Sequence, residues 1–168
     1  MRNFDSKYMQ MAQIWASNSH AKRNKVGAII VKDGMIISDG FSGTPSGFEN
    51  ECEEIVPCGN TCTSLFEQDC EHCKEHRLKT KPYVLHAEAN AILKVARSTN
   101  STEGATLYCT MSPCLECSKL IIQSGIKRLV YSEQYRDTAG LELLKRAGIE
   151  IKQLKVWPNI NIYHYLRL

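Results

Sequence analysis

Residues 105–131 read ATLYCTMSPCLECSKLIIQSGIKRLVY, and this stretch decides the fold. Residues 105–110 form a short apolar and β-branched run of strand length. Residues 113–124 then read as a helix, opened by Pro113 and closed by Gly125, where a helix C-terminal glycine belongs. Residues 128–131 make a second short strand. Working outward, residues 86–97 read as a helix before this unit, and residues 138–147 as one after it, closed by Gly148. Residues 149–156 give a last strand, followed by a tail with Trp157, Tyr163 and Tyr165. Helices alternating with strands predict an α/β sheet with helices on its faces.

The N-terminal half supplies more strand. Residues 26–31 and 35–38 are β-rich runs separated by Lys32-Asp33-Gly34, and an Asp-Gly pair in that position predicts a hairpin. Residues 40–47 (GFSGTPSG) hold three glycines and a proline, the chemistry of a loop. Ahead of the hairpin, Tyr8, Met11, Ala12 and Trp15 recur at the spacing of a helical stripe, with Asp5 or Ser6 as cap. Residues 49–81 differ from the rest: they hold eight acidic residues and five of the eight cysteines, without a clean period. This segment reads as an insertion into a single domain spanning 1–168, the length of one ordinary core.

Composition narrows the function. Apolar residues at 43% and charged residues at 23% describe an ordinary globular chain. A net charge of +3 is too mild to argue for a nucleic-acid or membrane partner. No stretch reaches the ~20 apolar residues of a membrane span, and the N-terminus has no signal-peptide pattern. A reducing, cytoplasmic setting is the expectation, and cysteines there point to metal or catalysis.

Two helix starts carry the chemistry. His86-x-Glu88 opens one, and Pro113-Cys114-x-x-Cys117 opens the other. Cysteines about one turn apart can reach a single metal, and the positive end of the helix favours their thiolates. His86, Cys114 and Cys117 make a three-ligand zinc set that leaves a fourth position for water, as catalytic zinc requires. Glu88 is then the carboxylate that accepts a proton and passes it on. The H-x-E…P-C-x-x-C order is a known signature of zinc nucleobase deaminases.

On these motifs, the chain resembles the cytidine deaminase superfamily and, within it, the deoxycytidylate (dCMP) deaminases. The resemblance is carried by residues 26–31, 40–47, 86–91, 112–117 with 122–126, and Tyr131-x-x-x-Tyr135-x-Asp137. Asn90, the 43–47 loop and the Tyr131–Tyr135 segment point to the dCMP branch. The resemblance implies a helix–sheet–helix sandwich with a five-stranded mixed sheet. It implies hydrolysis of dCMP to dUMP and ammonia, a step in dTTP precursor supply, with Glu88 protonating the ring nitrogen and then the departing amine. Backbone around Ala87 and Ser112 would hold the base, with Thr44 in the loop folded over the nucleotide. Tyr135 and Arg136 suit the 5′-phosphate as a hydroxyl donor and a charged fork. Similar enzymes are hexamers activated by dCTP and inhibited by dTTP. The basic cluster of Lys22, Arg23 and Asn24, with Ser42 and Gly43, is the expected effector site, with Mg²⁺ sharing a triphosphate's charge. One departure stands out: family members commonly carry Tyr-Asn before Gly-x-Pro, and here the pair is Phe41-Ser42. A serine offers fewer hydrogen bonds at shorter reach.

The insertion concentrates Cys52, Cys58, Cys62, Cys70, His72, Cys73 and His76. Cys70-x-x-Cys73 has the spacing of a ligand pair, so a second, structural zinc is expected there. Cys109 alternates within an apolar strand and reads as core. Two other readings stay open. A deaminase of tRNA or polynucleotide bases would need a basic face, which this balance and an acidic insertion do not supply. A non-catalytic zinc-binding interaction module would have no use for Glu88.

Overall fold

The computed structural model describes residues 4–56 and 77–155. Among these residues, four helices, α1 (Asp5–Ala16), α2 (Ala87–Ala96), α3 (Leu115–Gln123) and α4 (Ala139–Arg146), accompany seven strands. These are β1 (Gly27–Lys32), β2 (Met35–Phe41), β3 (Glu53–Val56), β4 (Arg77–Thr80), β5 (Thr106–Met111), β6 (Arg128–Glu133) and β7 (Glu150–Gln153). Five of them form one sheet in the order β2-β1-β5-β6-β7, while β3 and β4 pair apart. β1 runs antiparallel to β2 and β5, and β5, β6 and β7 run parallel, so the sheet is mixed.

The two faces of the sheet are covered differently. On one face Ala28, Ile30, Leu107, Cys109 and Leu129 pack with Ala87, Ala91 and Val95 of α2, Ile121 of α3 and Leu141 and Leu144 of α4. On the other, Ile29, Val31, Tyr108 and Val130 pack against Met9 and Ala12 of α1. Alternate residues of each strand serve opposite faces, as the period of two demands. The result is the expected helix–sheet–helix sandwich. Cys109 is fully buried core, as its alternation implied.

Two glycines set how closely helices approach. A Cβ on Gly40 would stand 2.2 Å from the Ala87 carbonyl oxygen, and one on Gly27 would stand 2.1 Å from that of Ala12. Only hydrogen fits at either point, so β2 draws α2 in and β1 draws α1 in. At the hairpin tip Asp33 (φ 51) and Gly34 (φ 76) both take positive φ, the conformation of a tight two-residue turn.

Three local expectations need correction. Met11 is 43% exposed; the buried residues of α1 are Asp5, Met9, Ala12 and Ala16, while Tyr8 and Trp15 pack at the margin. Asp5 does not cap α1, whose N-cap is Phe4 without a side-chain bond. Its carboxylate instead takes a bidentate pair of 2.8 Å bonds from Arg128, with Lys152 and the Tyr108 hydroxyl also at 2.8 Å. A burial demand on a charge outweighed a local capping bond. The 49–81 segment, read as irregular, contains the β3–β4 hairpin. Cys58, Cys62, Cys70, His72, Cys73 and His76 lie outside the described residues, as does the aromatic tail.

Candidate active site

His86 and Cys114 occupy the same structural position in different helices. Each is the N-cap of its helix, with extended backbone (ψ 156 and 172), so each side chain projects from a helix start while the following N–H groups supply positive potential. α2 and α3 pack side by side on one face of the sheet, which brings the two starts together. Cys117, one turn into α3, completes the set. His86 Nδ1 lies 3.5 Å from both sulfurs, and the three donor atoms all fall within 4.8 Å of one another. Bond lengths of ~2.0–2.3 Å to a tetrahedral zinc place neighbouring N and S ligands about 3.5–3.6 Å apart. The donor set therefore fits one zinc ion in both chemistry and spacing.

The protonation landscape suits a cation. Hydrogen bonds from Cys117 and His86 pull the Cys114 thiol down to about 3, against the cost of burial. Cys117, donating to that thiolate, is pushed up by the same bond. His86 is raised by its bond to Cys114, partly offset by burial. One thiolate thus already holds two protons in place by hydrogen bonds, and a metal ion would replace those protons. Glu88 is 4% exposed, and burial raises its carboxyl above the ordinary range despite bonds from its own N–H and the Cys117 thiol.

These groups open onto a cavity of about 440 Å³, large enough for a small ligand. His86, Glu88, Cys114, Ser112, Tyr135 and Arg136 line it. Ser112 is buried, and its hydroxyl accepts the Tyr135 N–H at 2.7 Å, fixing the turn that carries Tyr135 and Arg136. The Arg136 guanidinium sits 5.7 Å from the Tyr135 ring centre, a cation–π contact. Ala87 is fully buried and does not line the cavity. Neither does Thr44, whose hydroxyl is buried without a hydrogen-bond partner among the described residues.

Of the basic cluster, Arg23, Asn24 and Ser42 line this same cavity, whereas Lys22 and Gly43 do not. Within one chain the residues expected for an effector and those expected for the substrate share one space. The Ser42 hydroxyl, moreover, is engaged: it lies 2.8 Å from the Ser19 hydroxyl and accepts the Val26 N–H at 3.2 Å. Asn90 donates to the Phe41 carbonyl at 2.7 Å, tying the glycine loop to α2. Cys52, read only as a candidate ligand of a second zinc, lines this cavity just ahead of β3, and sequence reading missed Glu53, Lys79 and Thr80, which reach the wall from the β3–β4 hairpin. No spacing signal marks them, because tertiary docking alone brings them in.

Residues 2–133 match the family model of the cytidine and deoxycytidylate deaminase zinc-binding region. The chain is 38% identical to the deoxycytidylate deaminase of Enterobacteria phage T4, over 93% of this chain and 96% of that protein. It is 33% identical to the deoxycytidylate deaminase of Homo sapiens, over 87% of this chain and 76% of the human protein. Among solved structures it resembles the dCMP deaminase of cyanophage S-TIM5 in complex with dCMP and dUMP. The TM-score is 0.75 and the identity 39%, covering 92% of this chain and 99% of the other.

Proposed function

The chain belongs to the cytidine and deoxycytidylate deaminase family, and from that premise we propose that it hydrolyses dCMP to dUMP and ammonia. The observation that carries the reading is a buried Glu88 beside a convergent His/Cys/Cys set, in a nucleotide-sized cavity lined by Arg23, Lys79 and Arg136. Similarity to an S-TIM5 enzyme that holds dCMP and dUMP supports the choice of nucleotide.

His86, Cys114 and Cys117 would hold the zinc. An ion held there supplies Lewis-acid activation of water at neutral pH. Glu88 would take one proton from the attacking water and deliver it to the ring nitrogen beside C4; once the water oxygen has bonded to C4, it would pass the remaining hydroxyl proton to the amine, and the C4–N bond breaks to release ammonia. Burial raises the Glu88 carboxyl above the ordinary range, which strengthens it as a proton acceptor. Tyr135 and Arg136, braced by Ser112, take the 5′-phosphate. Backbone at Ser112, on the cavity wall, holds the base, while Ala87 and Thr44 stand behind that wall.

The wider reading has several parts. Residues 1–168 act as one catalytic unit in the cytoplasm, supplying dUMP for dTTP synthesis. Assembly is a homo-oligomer, a hexamer by resemblance. dCTP, with Mg²⁺, activates and dTTP inhibits. A structural zinc sits in the 49–81 insertion. The test is the loss of cytosine absorbance with dCMP, CMP, deoxycytidine and dCTP offered separately, on protein whose zinc content has been measured. dCMP should be turned over fastest, in protein holding about two zinc ions per chain. A faster rate on deoxycytidine or CMP would overturn the substrate, and one zinc per chain would overturn the structural site.

A further inference from the structure

The segment between α1 and β1 contributes Arg23 and Asn24 to the cavity wall, yet residues 20–26 form neither helix nor strand. Backbone N–H groups in such a segment have no ladder to satisfy them, and something must fix their course. Glu53, at the start of β3 and 8% exposed, meets that need. Its two carboxylate oxygens accept the Lys22 N–H at 3.2 and 3.1 Å, and one of them also accepts the Arg23 N–H at 3.3 Å. The hairpin receives a bond in return, because Arg23 Nη1 donates to the Leu78 carbonyl of β4 at 3.1 Å. Leu78 and Ile55 face each other across that hairpin, so both ends of the exchange belong to one small sheet.

We propose that Glu53 is a positioning residue for nucleotide binding: its buried carboxylate holds the 22–23 backbone so that Arg23 presents its remaining guanidinium donors to the anionic end of a bound nucleotide. A carboxylate is the right group for this task. It accepts from two consecutive N–H groups at once, and charge-assisted bonds are the stronger kind. Glutamine at the same place keeps the size but turns a donor toward backbone donors. The proposal gives the acidic, cysteine-rich insertion a part in the site: its root is one wall of the cavity.

The proposal rests on the nucleotide-binding reading above, and calorimetric titration with dUMP separates the two. Zinc-loaded wild type, E53Q, R23Q and the double variant are compared. E53Q should bind dUMP about tenfold more weakly than wild type, the scale of one lost contact to a charged group. In the R23Q background the same substitution should cost less than twofold, because the residue through which it acts is gone. A purely structural effect would weaken binding equally in both backgrounds, and that result overturns the proposal. Unchanged dUMP affinity in E53Q overturns it as well. Where E53Q does not fold, E53D substitutes: it retains the charge but, a methylene shorter, cannot span both N–H groups, and should fall between wild type and R23Q. Wild type that binds no dUMP overturns the functional reading itself.

Discussion

Burial holds the Glu88 carboxyl above the ordinary carboxylate range, and among the described residues the other carboxylate on the cavity wall, Glu53, is taken up by the Lys22 and Arg23 N–H groups. One residue would therefore serve both proton transfers. Glu88→Gln keeps shape and burial but removes the exchangeable proton. It should lower kcat by at least the ~10²–10⁴-fold usual for general acid–base catalysis, with zinc content unchanged. A variant that keeps a tenth of wild-type turnover would remove Glu88 from the mechanism. His86, Glu88, Cys114 and Cys117 were legible in the sequence because each pair sits within one helical turn, where spacing is geometry. Arg23 was legible as part of a basic cluster, read as an effector site, and Lys79 carried no signal. Glu53 was not legible at all, since its meaning lies in backbone groups thirty residues away.

At the scale of elements, the closeness of α2 to β2 sets where His86 and Glu88 stand. Gly40→Ala would drive a methyl into the Ala87 carbonyl and the Ala91 N–H, which are backbone and cannot swing aside. α2 must move outward. The cost in stability should be about 1–3 kcal/mol, and a displaced helix start should lower kcat by up to about 100-fold. Gly27→Ala is the matched control, because it meets α1 equally tightly on the opposite face. It should lower Tm while leaving the specific activity of folded protein nearly intact. Equal activity losses in the two variants would mean that helix placement does not govern the site. The framework elements were readable from period and punctuation, and Gly34 and Gly125 take the positive φ their positions called for. The β3–β4 hairpin was not, because Glu53, Glu54 and Lys79 follow docking and charge pairing rather than an apolar alternation.

Across the whole molecule, Asp5 ties the first helix to the far strands, through Arg128 of β6 and Lys152 of β7. The Arg128 guanidinium, aided by Lys152 and the Tyr108 hydroxyl, holds its carboxyl well below the ordinary range, against the cost of burial. A depressed carboxyl stabilises the fold fully above its unfolded pKa of about 3.9 and loses that contribution as pH falls toward its folded value. Stability should therefore drop steeply below about pH 4. Asp5→Asn should cost about 3–5 kcal/mol at neutral pH, as breaking a buried ion pair does, and should flatten that acid slope. Urea unfolding at pH 3, 4, 5 and 7 decides it; parallel curves for the two proteins would deny Asp5 the role. The placement of His86 and Cys114 as N-caps of two separate helices bears on motion as well as chemistry. An ion gripping both is a cross-link between segments that otherwise fray independently, and it merges them into one cooperative opening unit. Amide protons in the first turns of α2 and α3 should then exchange with deuterium at different rates in zinc-free protein. With zinc they should exchange at one common, slower rate, while those of α1 on the opposite face keep their pace.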